Sequence, residues 1–192
     1  YTEMVQPGQF PGITTMRSYD YDNWQIGFDN NTFEALRINA NYREGTTLNL
    51  VPKIGNPPSV ADTRRIDLNV LLRPTQQLSI ANTYFLTELD TLAGERVFSN
   101  EIFRSNWNYQ FTKELSLRFI AQYDNTEAGA ATRLEDDENL NFDILLRYVI
   151  NPWSAFYLGY NSNQSNFDII DFEGELELIT ANELRRDGDQ FF

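Results

Sequence analysis

Hydrophobic and polar residues alternate along most of this chain at a period of two. In "SNWNYQFTKELSLRFIAQYD", residues 105–124, Ser105, Trp107, Tyr109 and Phe111 share one side of an extended segment, with Asn106, Asn108 and Gln110 on the other. After the polar break "TKE", Leu115, Leu117, Phe119, Ala121 and Tyr123 continue on one side, opposite Ser116, Arg118 and Gln122. Successive side chains of a strand point to opposite faces, so this period predicts strands with two unlike faces rather than helices. A short polar break between two such runs predicts a hairpin turn at 111–114.

The same plan appears three more times, at roughly 40-residue spacing. Trp24, Ile26 and Phe28 precede a turn expected at 29–32, and Leu36, Ile38, Ala40 and Tyr42 follow it. Ile66, Leu68, Val70 and Leu72 precede a turn at 73–77, with Leu78, Ile80 and Tyr84 after it. Leu140, Phe142, Ile144, Leu146 and Tyr148 lead to a turn at 150–153 and then to Phe156, Leu158 and Tyr160. Pro74 and Pro152 fall at turns, where a fixed φ helps and a missing donor costs little. The other connections read as long: 52–63, 90–96, 124–138 and an acidic tail from 161.

Short and long connections that alternate suit an up-and-down barrel better than a Greek-key sandwich, whose connections cross between sheets. The expected fold is all-β, an antiparallel up-and-down meander of at least eight strands, forming a transmembrane β-barrel or part of one over residues 16–192. Residues 1–15 read as an irregular segment. A soluble sandwich or lipocalin-like domain binding a small ligand or sugar would give the same periodicity, because it too buries one face.

Tyrosine positions favour the membrane reading. Tyr42, Tyr84 and Tyr123 each lie ten residues beyond Thr32, Pro74 and Lys113, and Tyr160 lies eight beyond Pro152. Ten residues of strand rise about 33 Å, which a tilt of about 40° projects to about 25 Å, the height of a lipid-facing band. These tyrosines would form an outer aromatic girdle, and Tyr109, Phe111, Tyr148 and Trp153 an inner one. The opposite face carries Arg37, Arg65, Asp67, Arg73, Arg104, Arg118, Asp143 and Arg147, which suits a wet or internally paired lumen. Arg37, Arg118 and Arg147 are expected to pair with Asp67, Asp124 and Asp143, or else to attract anions into a channel.

Composition narrows the chemistry. The 192 residues include no Cys and no His, so disulfides, thiolate metal sites and the commonest general base are absent, and neither catalysis nor a cofactor is expected. No apolar run is long enough for a spanning helix. Residues 1–15 lack the basic start and apolar stretch of a signal peptide, so the chain is mature, cytosolic or a piece of something longer. The net charge of −13 argues against nucleic acid. Acids concentrate in 124–139 and 161–190, and Lys is scarce, only Lys53 and Lys113, where a soluble surface would ordinarily use more.

Two acidic segments invite chemical readings. The run Glu135, Asp136, Asp137, Glu138 offers carboxylates to Ca²⁺, or to divalent cations bridging to lipopolysaccharide. It lacks the alternating ligands and bend glycine of a loop site, so a solvated loop tip is expected and no metal is assigned. Asp168, Asp171, Glu173, Glu175 and Glu177 could supply the carboxylate pair of a glycosidase. "GELELIT" alternates, however, and reads as a strand extension or an outer-loop hairpin.

The stretch from "NWQIGF" through "RPTQQLSIANTYF", "NWNYQFTKELSLRFIAQYD" and "SAFYLGYN" to "LRRDGDQFF" resembles the C-terminal portion of a bacterial domain-of-unknown-function family. In that family a domain similar to family-9 carbohydrate-binding modules precedes a predicted outer-membrane barrel. The resemblance covers about residues 16–192, and "FTKELSLRFIAQYD" and "RRDGDQFF" are its most telling pieces. It implies a bacterial outer-membrane location, outer-membrane lipid and the remainder of the same protein as partners, and a role as anchor, channel or scaffold of a cell-surface protein. The family pattern continues past Phe192 with one more alternating strand, so a barrel fragment lacking its terminal strand is expected. The sugar-binding domain has no counterpart here, and no sugar-contacting residue is carried over.

Overall fold

Hairpin follows hairpin along the chain. A computed structural model describes residues 2–10, 13–172 and 175–191, with side chains described for these except 167–182 and 187. Strands β1 (Thr2–Val5) and β2 (Arg17–Asp20) form a small antiparallel pair. The remaining strands make one sheet: β3 (Asn23–Phe33), β4 (Leu36–Asn49), β5 (Ser59–Leu72), β6 (Leu78–Thr91), β7 (Arg96–Gln110), β8 (Leu115–Ala128), β9 (Asp137–Asn151), β10 (Ser154–Phe172) and β11 (Glu175–Phe191). Among the described residues this sheet has nine strands, all antiparallel, each beside its neighbour in sequence. The architecture is therefore the up-and-down meander that the periodicity predicts. Among the described residues its two margins, β3 and β11, are not paired with each other.

The turns at one end are set by local side-chain chemistry. In "TQQL" and "TKEL" a threonine hydroxyl accepts from two backbone N–H groups, Thr75 from Gln77 and Leu78 (3.3 and 3.1 Å) and Thr112 from Glu114 and Leu115 (3.2 and 3.1 Å). Asn151 does the same for Trp153 at 2.9 Å. Such side chains mimic a backbone turn, so the reversal is encoded within a few residues.

Four expectations are corrected. The first turn falls at Glu34 and Ala35 rather than at 29–32, because Asn30 accepts from Thr32 N–H at 3.0 Å and makes a local irregularity inside β3. The polar "DNNT" is a bulge, and the strand continues beyond it. The connection expected at 90–96 is a tight turn at 92–95, closed by Thr91 N–H to Glu95 O at 2.8 Å with Gly94 at φ 82°, so the alternation of short with long connections is incomplete. The acidic tail from 161 is instead the upper part of β10 paired with β11, from Phe172 opposite Glu175 to Tyr160 opposite Phe191, with register shifts at Asn163/Gln164 and Ser165/Phe167. Residues 1–15, read as irregular, contain β1, which is held to β2 partly by Thr2 Oγ1 donating to Asp20 at 2.7 Å.

Among the described residues, buried apolar side chains occur only at the end away from the hairpin turns. Val5, Ile13 and Leu48 make one cluster beneath the β1–β2 pair, and Ala61, Leu89 and Val97 make another. Over the second cluster the 50–58 and 129–136 connections meet. Pro52 bridges to Thr132, and Thr132 Oγ1 donates to Val51 O at 2.6 Å. These connections leave the sheet four strands apart, so their meeting ties the β4–β5 end to the β8–β9 end across that width.

Candidate functional site

Directly opposed residues in a ladder share a face. Leu36, Leu72, Ile80, Trp107, Phe119, Ile144 and Tyr160 form one such row from β4 to β10. Nearer the turns follow Leu78, Tyr109, Leu117, Leu146 and Leu158, then Leu115, Tyr148 and Phe156. Ile26, Phe28, Phe103, Trp107, Ile144, Phe156 and Leu158 are exposed on this face, and Leu117, Phe119 and Leu146 are half-buried by lateral neighbours. Among the described residues no second layer covers it. Soluble monomers rarely leave an apolar patch of more than a few hundred Å² open. The band's polar intruders satisfy one another: Trp107 Nε1 donates to Ser105 Oγ, which donates to Asn82 Oδ1, each at 2.7 Å.

The aromatic residues singled out from the sequence lie along both borders of this band. At the turn end, Tyr109 and Tyr148 face the band, Phe111 meets Tyr109 edge-on with centroids 4.7 Å apart, and Trp153 is 94% exposed at a turn. At the other border each tyrosine hydroxyl reaches a carboxylate one row farther from the turns. Tyr42 donates to Glu44 at 3.0 Å and Tyr123 to Glu138 at 2.9 Å, while Tyr84 is hydrogen-bonded to Glu101 and Tyr160 to Asp189. Beyond this border the face turns ionic: Arg64 pairs with Glu88, and Arg96 with Glu88 at 3.1 Å and Asp90 at 2.6 Å.

The tyrosine line is inclined to the ladder rows. Tyr160 shares its row with Leu36, so from Tyr42 on β4 to Tyr160 on β10 the line descends six residues over six strands. The descent is uneven, since Tyr84 and Tyr123 share a row through Phe103. The hairpin turns descend in step, from Glu34–Ala35 just past Leu36 to Pro152–Trp153 well past Ile144. With 3.3 Å per residue and 4.8 Å between strands, one residue per strand corresponds to a tilt of about 35°.

The other face is charged and concave. Arg37, Arg65, Asp67, Arg73, Arg104, Arg118, Asp143 and Arg147 all project from it by register, interrupted by Leu71, Ile120 and Leu145. Basins of about 880, 400 and 320 Å³ open on it. Of the anticipated pairings only Arg118 with Asp143 forms, at 3.2 Å. Asp67 lies across from Asn41 and Phe85 rather than from an arginine, and Asp124 accepts from Asn100 at 3.1 Å. The register, which the sequence does not state, decides which side chains meet.

The acidic run is dispersed rather than gathered. Glu138 meets Tyr123 on the apolar face, Asp137 points the opposite way and accepts from Asn139 at 2.7 Å, and Asp136 accepts from Ala128 N–H at 2.7 Å. Among the described residues no group of three acids is arranged to hold a metal. Asp168, Asp171, Glu173, Glu175 and Glu177 lie outside the described side chains. The sequence reading missed the carboxylate partners of the tyrosines. Only Glu44 was legible, two residues after Tyr42 and so on its face; Glu101, Glu138 and Asp189 require the cross-strand register.

Together these features define a curved antiparallel meander with a convex apolar face and a concave charged one. No family model, curated protein or solved structure matches the chain.

Proposed function

We propose that this sheet is the wall of a bacterial outer-membrane β-barrel, serving as anchor, channel or scaffold of a cell-surface protein. The observation that carries the reading is the uncovered apolar band, bounded on one side by the hairpin turns and on the other by tyrosines bonded to carboxylates. Both borders incline by about 35°, within the range of strand tilts in membrane barrels. Lipid is the partner that would cover the convex face, and the concave charged face would line the lumen. Each unpaired backbone group in hydrocarbon costs several kcal/mol, so β3 and β11 must meet each other or further strands there. The proposed family, with its sugar-binding domain, would make the barrel the membrane portion of a carbohydrate-handling protein. The test is refolding of the 192-residue chain into detergent and then lipid vesicles. A β-rich species whose gel mobility changes on heating, and which floats with the vesicles, supports the reading. A monodisperse, folded chain without detergent overturns it.

A further inference from the structure

We propose that the turn end of the concave face binds a soluble oxyanion bearing several charged groups, held between two pairs of arginines. Arg37 on β4 faces Leu71, and Arg73 lies two residues beyond Leu71, just past the end of β5, where its N–H donates to Ala35 O at 2.8 Å, so the two arginines are diagonal neighbours, about 7–8 Å apart at Cα. Arg147 on β9 faces Ser116, and Arg118 lies two residues beyond Ser116 on β8, in the same relation. Three strand spacings separate β5 from β8, about 14 Å. The floor between the pairs carries Ser79 and Asn108, opposite one another on β6 and β7. All four arginines line the basin of about 880 Å³, a volume within the range of small-ligand sites.

Charge bookkeeping sharpens the assignment. Arg118 is engaged by Asp143 at 3.2 Å, and Glu34 is the one carboxylate among the residues lining the basin. Four guanidinium groups line the basin against Glu34, with Asp143 on Arg118 and with Asp29 and Glu114 diagonal to Arg37 and Arg147 on the same face, so the lining itself is cationic within mixed surroundings, in a chain whose net charge is −13. The acidic run 135–138 lies at the other end of the strands. Glu127 is nine residues along β8 from Arg118, about 30 Å, which is well beyond the ~10 Å screening length at 0.1 M salt. Guanidinium forks bind phosphate and carboxylate oxygens through two parallel N–H bonds, and pairs set apart across a polar floor suit a ligand with more than one such group. The site does not depend on lipid meeting the opposite face.

The experiment is calorimetric titration of the full chain in uncharged detergent with tripolyphosphate, citrate and inorganic phosphate. Saturable binding of tripolyphosphate or citrate is expected, about tenfold or more tighter than that of inorganic phosphate. Whichever of the two binds tighter distinguishes a phosphate from a carboxylate ligand. Arg37→Gln, Arg73→Gln and Arg147→Gln should each weaken binding about tenfold, and Arg147→Lys by less, because it keeps the charge and loses the fork. Arg104→Gln, on the same face outside the basin, should leave binding within about twofold. The side chains are exposed, and unchanged circular dichroism would show that the variants fold. Absence of saturable binding, equal affinity for inorganic phosphate, or equal weakening by Arg104→Gln would overturn the proposal.

Discussion

Tyr123 on β8 and Glu138 on β9 are joined by a 2.9 Å hydrogen bond that runs from the apolar band into the polar zone beyond it. Tyr123→Phe keeps the ring and removes the donor. A bond to a charged acceptor contributes about 1.5–3 kcal/mol, so the variant should unfold at lower urea, by roughly that amount, when refolded in detergent. Glu138→Gln should cost less, because an amide oxygen still accepts. An unchanged midpoint for Tyr123→Phe would show that the bond contributes nothing to stability.

Phe119 lies four residues from Tyr123 and opposite Trp107, close to the middle of the band. Phe119→Arg should destabilise the protein in lipid by about 2–4 kcal/mol, the cost of a charge near a bilayer midplane. Asn141→Lys, on the concave face, should stay within about 0.5 kcal/mol. Equal effects would mean that both faces meet the same solvent. The measurement is equilibrium unfolding from vesicles.

The three tryptophans stand at three heights. Trp24 is beside Tyr42, with ring centroids 5.4 Å apart, Trp107 lies mid-band, and Trp153 tips a hairpin turn. Variants retaining one tryptophan each, placed in vesicles with bromine on the acyl chains, should show strongest quenching for Trp107. Trp24 and Trp153 should respond more to quenchers near the headgroups. Uniform response of all three would contradict a transverse orientation.

Gly45 adopts φ 144°, and a Cβ built there would lie 2.5 Å from Asn23 Cα. Thr46 N–H donates to Asp22 O at 2.6 Å beside it, so the close approach holds the entry of β3 against β4. Gly45→Ala combines an unfavourable φ with a backbone clash and should cost about 1–3 kcal/mol. Gly94→Ala, where added carbon meets only open space, isolates the φ contribution alone. The temperature at which gel mobility shifts provides the comparison.

The strands and the two faces were legible because period two is a local signal that needs no partner. Thr75 and Thr112 likewise write their turns into four-residue windows. The first turn was misplaced because Asn30 and Thr32 carry turn chemistry within a strand that does not yet reverse. Salt-bridge partners were largely illegible. Arg118 meets Asp143 25 residues away, through the register of β8 with β9, and nothing within either strand states that register. The tyrosines were found as a set, whereas their step of about one residue per strand emerges only when six ladders are laid side by side.

The contact of Thr132 with Val51 joins positions 81 residues apart. It closes the middle of the chain into a ring while both outer margins are still unmatched. Loop-closure entropy rises only with the logarithm of length, so a contact across 81 residues costs little more than one across half that distance. The bend of the sheet is thereby fastened near its centre, by two connections, and not at its margins.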